Sequence, residues 1–156
     1  MFIMFLPVAP IIIGICILVL ALCGKVASVT GTLTTILWII LIAVSIITIV
    51  CNLKRQTSSG DKFLSTVITL GANILSLVVS NNYFSGLNAS SMKSGLSASL
   101  DFAFTLLFGG IIWFGVISAC TGACAIILDE YEDNRCLKAL GSIVTGLVLA
   151  GIFNLI

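Results

Sequence analysis

Gly31-Thr-Leu-Thr-Thr-Ile-Leu-Trp38-Ile-Ile-Leu-Ile-Ala-Val-Ser-Ile-Ile-Thr-Ile-Val-Cys51 contains no charged side chain. In water its Ile and Val content would suggest a β-strand. In hydrocarbon every backbone N–H and C=O must be paired internally, and a lone apolar run of this length achieves that only as a helix. Asn52-Leu-Lys54-Arg55 stops the run.

Working outward from 31–51, four further apolar segments appear, at roughly 6–24, 63–80, 102–128 and 137–156. Pro7 and Pro10 sit at the start of the first, where a missing N–H does least harm. The flanking Met1-Phe-Ile-Met-Phe-Leu-Pro7 lacks the basic region of a signal peptide, so this segment is expected to be retained. At 1.5 Å per residue, eighteen residues span about 27 Å, enough for a thin or average bilayer. The reading is an all-α membrane protein with about five transmembrane helices in one polytopic domain, 1–156. The number falls to four if one hydrophobic segment is re-entrant or interfacial.

Composition agrees. Charged residues make up 8% of the chain and hydrophobic ones 60%, whereas a soluble domain carries about 25% charged residues. Net charge is +1, so no basic surface for nucleic acid is expected. The chain has no His, which removes the commonest general base, metal ligand and pH switch together.

The connections differ in kind. Residues 25–30 read as a tight hairpin, and Gln56-Thr-Ser-Ser-Gly-Asp61 as a short polar turn. Residues 81–101, rich in Ser, Asn and Gly, read as the longest loop, and Asp129-Glu-Tyr-Glu-Asp-Asn-Arg135 as a compact acidic one. Basic residues set orientation. Lys54, Arg55, Lys62, Arg135 and Lys138 fall at the second and fourth connections; Lys25 and Lys93 fall at the first and third. This bias predicts an integral, multi-pass protein with its N-terminus cytoplasmic and its C-terminus outside.

Ser65, Thr69, Asn73, Ser76 and Ser80 recur at spacings of four and three and so share one helical face. Such a face either lines a water-filled path or supplies interhelical hydrogen bonds, each worth about 0.6 kcal/mol. Packing is the commoner use. Asn73 is the most telling member, because its amide cannot be fully satisfied within its own helix. Gly115, Ala119 and Ala123 form a small-residue stripe in the fourth segment, and Ser142, Gly146 and Ala150 form one in the fifth. Small residues let helix backbones approach closely, within this hairpin or against another subunit. Phe102, Phe104 and Phe108 suit an interfacial aromatic belt, while Trp113 and Phe114 sit deeper.

Cys120 and Cys124 share a face, but further metal ligands are missing and the spacing is not that of thioredoxin. They read as small apolar residues. Cys51 and Cys136 have the juxtamembrane placement of acylated cysteines. Asn88-Ala-Ser90 is a glycosylation sequon within the long third loop. The acidic loop lacks the turn glycine and converging ligands of a hard-cation site, and reads as a solvated turn.

No Asp, Glu, Lys or Arg lies inside the five segments away from their edges, which Asp101 and Lys138 mark. Proton pumps, ion-coupled transporters and voltage sensors depend on intramembrane charge, so these classes are excluded. No catalytic constellation, cofactor motif or metal site is evident. The expected role is a non-catalytic accessory or structural subunit of a membrane assembly, with the lipid bilayer and homo- or hetero-oligomeric membrane partners around it. The alternative is an oligomeric channel, or a carrier for neutral solutes, with the third segment lining the path.

Overall fold

A computed structural model describes residues 26–54, 58–129 and 134–154. The first apolar segment, 6–24, with Lys25, Cys16 and Cys23, lies outside the described residues, as does most of the acidic loop. Among the described residues the chain is helical throughout, with short connections and no strand.

α1 spans Val26–Lys54 and α2 spans Ser59–Ser91. α3 (Leu96–Phe104) runs through a π-helical turn (Thr105–Gly109) into α4 (Gly110–Leu128), and α5 spans Arg135–Ile152. Three helices are long and apolar enough to cross a bilayer: α2, the continuous Leu96–Leu128 helix, and α5. The Trp38–Lys54 part of α1 is apolar as well.

The helices overrun the sequence reading at most ends, by two to four residues at Lys54, Ser59 and Arg135, and by more in two places. Val26–Thr30, read as part of a tight hairpin, is the first turn and a half of α1. Nothing between Val26 and Gly31 breaks a helix, and the nearest stop signal is Gly24-Lys25. The larger difference is the stretch 81–101. It is not a long loop: α2 continues to Ser91, and α3 begins at Leu96 after a four-residue turn. Apolar contacts hold this extension. Val79, Tyr83, Leu87 and Ser90 recur on one face of α2 and are buried, as is Ala98 of α3. Gly95 makes the turn at a φ of 116°, where a side chain would be strained.

Each 33-residue helix rises about 50 Å at 1.5 Å per residue, against about 30 Å of hydrocarbon. The polar residues Asn81, Asn82, Ser85, Asn88 and Ser91 cluster at the far end of α2. Residues 81–101 are therefore a helical hairpin that carries α2 past the apolar block 63–80, not a long loop.

α2 is the central helix, packed against α1 on one side and against α4 and α5 on the other. α4 and α5 share the most extensive contact, as neighbours joined by a short connection should. The core is built on Ala72, Leu75, Val79, Tyr83, Phe84 and Leu87 of α2 against Trp113, Val116, Ile117 and Cys120 of α4. A second cluster, Ile68, Ala123, Ile127 and Ala139, closes the opposite end.

Candidate functional site: the polar face inside the bundle

All five residues of the α2 polar face are buried, Thr69 and Ser80 completely. The lower hydroxyls turn back on their own helix. Ser65 Oγ donates to the Lys62 carbonyl at 3.1 Å, Thr69 Oγ1 to Ser65 at 2.8 Å, and Ser76 Oγ to Ala72 at 2.9 Å. Such back-bonding satisfies a hydroxyl inside hydrocarbon without any partner helix. Ser80 behaves differently: its Oγ accepts from Trp113 Nε1 at 2.9 Å, a buried bond between α2 and α4. Asn73 is 6% exposed, and its Nδ2 has no hydrogen-bond partner.

The sequence reading missed a companion face on α1. Thr48 and Asn52 are both buried, and Asn52 Nδ2 also lacks a partner. Ser45, Thr48 and Asn52 follow the same three-and-four spacing, so the signal was present but hidden within a run of Ile and Val. Thr48 Oγ1 donates to its own Val44 carbonyl at 2.8 Å. The neighbouring helix α1 therefore carries buried polar residues of its own.

The two small-residue stripes meet each other. A Cβ placed on Gly146 would lie 3.4 Å from Ala119 Cβ, with Leu75 and Val116 just beyond. Ser142 Oγ donates to the Ala119 carbonyl at 2.7 Å. Gly115 faces Leu149, and Ala123 and Ala150 are fully buried. These contacts hold α4 and α5 at close range by van der Waals packing, as hydrocarbon requires.

Above the stripes lies an aromatic cluster. Tyr83 stacks on Trp113 at a centroid distance of 5.6 Å, and Phe84 packs against both rings. Tyr83 presses on the Gly109–Gly110 pair: an added Cβ at either position would come within 3.1 Å of it. Its hydroxyl donates to the Leu106 carbonyl in the π-helical turn at 3.3 Å. π turns widen a helix locally and leave its carbonyls less regularly paired, and here a tyrosine supplies one of the partners. Phe114 is exposed, and Phe104 stacks on Phe108 and Phe153 near the outer surface.

At the opposite end, Arg135 forms an ion pair with Asp61. Cys136 Sγ donates to the other carboxylate oxygen at 3.4 Å. Lys62 Nζ donates to the Leu53 carbonyl, tying α2 to the end of α1. Sequence reasoning could not pair Asp61 with Arg135, because only the register of α2 against α5 does so. Asp61 lies in the first turn of α2, where the helix dipole favours an anion. Arg135 lies in the first turn of α5, where a cation is disfavoured. Asp61→Ala is therefore expected to destabilise the bundle more than Arg135→Ala. The first leaves a part-buried cation at a helix N-terminus, while the second leaves an anion where the dipole suits it. A coupling of about 1–2 kcal/mol is expected in a double-mutant cycle, between exposed and buried pairs. Thermal unfolding in mild detergent reads it, and the reverse order of the two single variants would contradict this account.

Other sequence candidates stand apart. Cys120 and Cys124 are buried and free, and Cys51 is exposed. No group of three or more His, Cys, Asp or Glu side chains that could hold a metal occurs among the described residues. The Asn88 sequon lies in the last turns of α2, not in a loop. Asn88 Oδ1 is buried and Ser90 donates to the Leu87 carbonyl, so Asn88 could be presented for modification only by unwinding the helix end. Exposed Lys93 and Asp101 face each other across the turn at 3.9 Å. Comparison with known protein families, curated proteins and solved structures gives no match to this chain.

Proposed function

We propose that the chain is a non-catalytic multi-pass membrane component, an accessory or structural subunit that packs against copies of itself or within a larger membrane assembly. One observation carries this reading. The polar face that could have lined a path is enclosed among helices, with its hydroxyls turned onto their own backbone or used to bind α4. The surfaces left outward are apolar, including Ile39, Ile46 and Leu53 of α1 and Leu137, Val144, Val148 and Ile152 of α5. In this reading 6–24 is a further span, giving five. The Asp61–Arg135 pair sits at the end that holds the second and fourth connections, which supports placing both on one side; the basic bias makes that side cytoplasmic.

Native mass spectrometry of the intact chain, purified in mild detergent, tests the proposal. A defined homo-oligomer or a stoichiometric hetero-complex is expected. A strictly monomeric protein with nothing co-purifying would refute it.

The pore or carrier reading keeps one observation in its favour, the unpartnered amides of Asn52 and Asn73. Buried donors without partners are rare and often mark ordered water. Ser65→Leu, Thr69→Leu and Asn73→Leu combined separate the two readings. If α2 lines a path, flux of neutral solutes through reconstituted protein is lost while assembly survives. If the face serves packing, no flux exists to lose. Asn73→Leu alone then raises stability by about 1 kcal/mol, because it removes an unsatisfied buried amide.

A further inference from the structure

A small open notch of about 140 Å³ lies between the end of α2, the π-helical turn and the end of α5. Three rings, Tyr83, Phe104 and Phe153, line it together with Gly86 and Gly109. Asn82 and Thr105 add an amide and a hydroxyl. No lining side chain is charged. The size is close to that of apolar cavities of about 150 Å³ that take up benzene or xenon.

Its height in the bundle decides what can fill it. On α2, Val78 and Val79 give way to Ser80-Asn81-Asn82; on the neighbouring helix Asp101 precedes Phe102 and Phe104; on α5, Phe153 is followed by Asn154. Each of the three stretches of chain around the notch thus places polar residues next to aromatic ones: Asn81 and Asn82 beside Tyr83, Asp101 beside Phe102, and Asn154 beside Phe153. Aromatic rings gather in membrane proteins at the level where hydrocarbon meets the headgroups. The notch also opens at the bundle surface: Asn82, Gly86 and Phe104 are exposed. An apolar hollow with a rim of one amide and one hydroxyl, at this depth and facing outward, matches the upper acyl chain and ester region of a bilayer lipid. Without a charged lining it would not select a headgroup.

We propose that this notch binds the ester-proximal acyl chain of a lipid from the surrounding leaflet. The site is independent of which partner the bundle serves. Its back wall couples it to the core, because Tyr83 stacks on Trp113 and bonds the π-helical turn. An occupied notch holds Tyr83 against the Gly109–Gly110 backbone.

Gly86 supplies the decisive variant. A Cβ built there meets nothing within 4 Å, so a side chain can start from this position, and Gly86→Leu places a branched apolar group at the lining of the notch. The chain has two tryptophans, and Trp38→Phe leaves Trp113 as the sole tryptophan, excited selectively at the red edge of its absorption and one ring behind the notch. In phosphatidylcholine vesicles brominated on acyl carbons near the ester, Trp113 emission is expected to be quenched relative to unbrominated vesicles. Gly86→Leu in the same background abolishes that quenching, while circular dichroism and the thermal midpoint stay unchanged. Phe153→Ala, which opens the notch, deepens it and guards against a folding defect in the first variant. Adding an anionic lipid to the vesicles leaves the result as it was. Equal quenching with and without Gly86→Leu overturns the proposal. So does quenching by aqueous acrylamide as strong as that by the brominated chain, since the notch would then hold water.

Discussion

Replacing Trp113 by Ala is expected to lower the stability of the purified protein by about 3–5 kcal/mol, the usual range for emptying a buried aromatic site. Trp113 is the largest of the fully buried side chains and touches both Tyr83 and Phe84. In a bilayer the loss is one of packing, because lipid would solvate an apolar ring as well as the protein does. The void also strands Ser80, whose Oγ loses its only bond to α4. Trp113→Phe separates the two effects. It keeps most of the ring and removes the Nε1 donor, so a loss of about 1 kcal/mol is expected from the hydrogen bond. Denaturant titration in mixed micelles, read by far-UV circular dichroism, measures both. Equal effects of Ala and Phe would mean that the indole N–H matters and the ring does not, contrary to the packing seen here.

Gly146→Leu is expected to be comparably damaging, about 3 kcal/mol, by overpacking. The point of comparison is Gly146→Ala. Its methyl carbon would sit 3.4 Å from Ala119 Cβ, an ordinary contact. Alanine also has the better helix propensity, by about 1 kcal/mol. The alanine variant should therefore be neutral or slightly stabilising. The leucine side chain has to pass Ala119, Val116 and Leu75, which requires α5 to move away from α4 and α2. That separation also breaks the Ser142–Ala119 bond. A leucine variant as stable as the alanine one would show that this face of α5 does not lie against α4 in the membrane.

The apolar blocks that became helices were legible because hydrocarbon leaves the backbone so few options. Their ends were less so. Asn, Ser and Gly are turn formers in water, and on that ground 81–101 reads as loop. Tertiary packing overrode the local preference: Tyr83, Leu87 and Ser90 carry the burial of α2 past the apolar block. A helical period was present there, under a polar majority. The polar face of α2 was legible from spacing alone, since residues three and four apart must share a side. Which helix it faces was not. Ser80 with Trp113, and Asp61 with Arg135, are separated by 33 and 74 positions. Such pairs depend on the register of whole helices, and no local pattern encodes them. The small-residue stripes were visible for the same reason as the polar face, and only the packed bundle directs them at each other.

The continuation of α2 past the apolar region has a mechanical consequence. A loop at that position would absorb motion, whereas a braced pair of helices transmits it. The turn at Met92–Gly95 is the tip of a rigid post continuous with the central helix of the bundle. For a helix about 50 Å long, a tilt of about 10° carries one end some 9 Å sideways relative to the other. A change in bilayer thickness or in lateral packing that re-tilts α2 is thus amplified into a displacement at the tip.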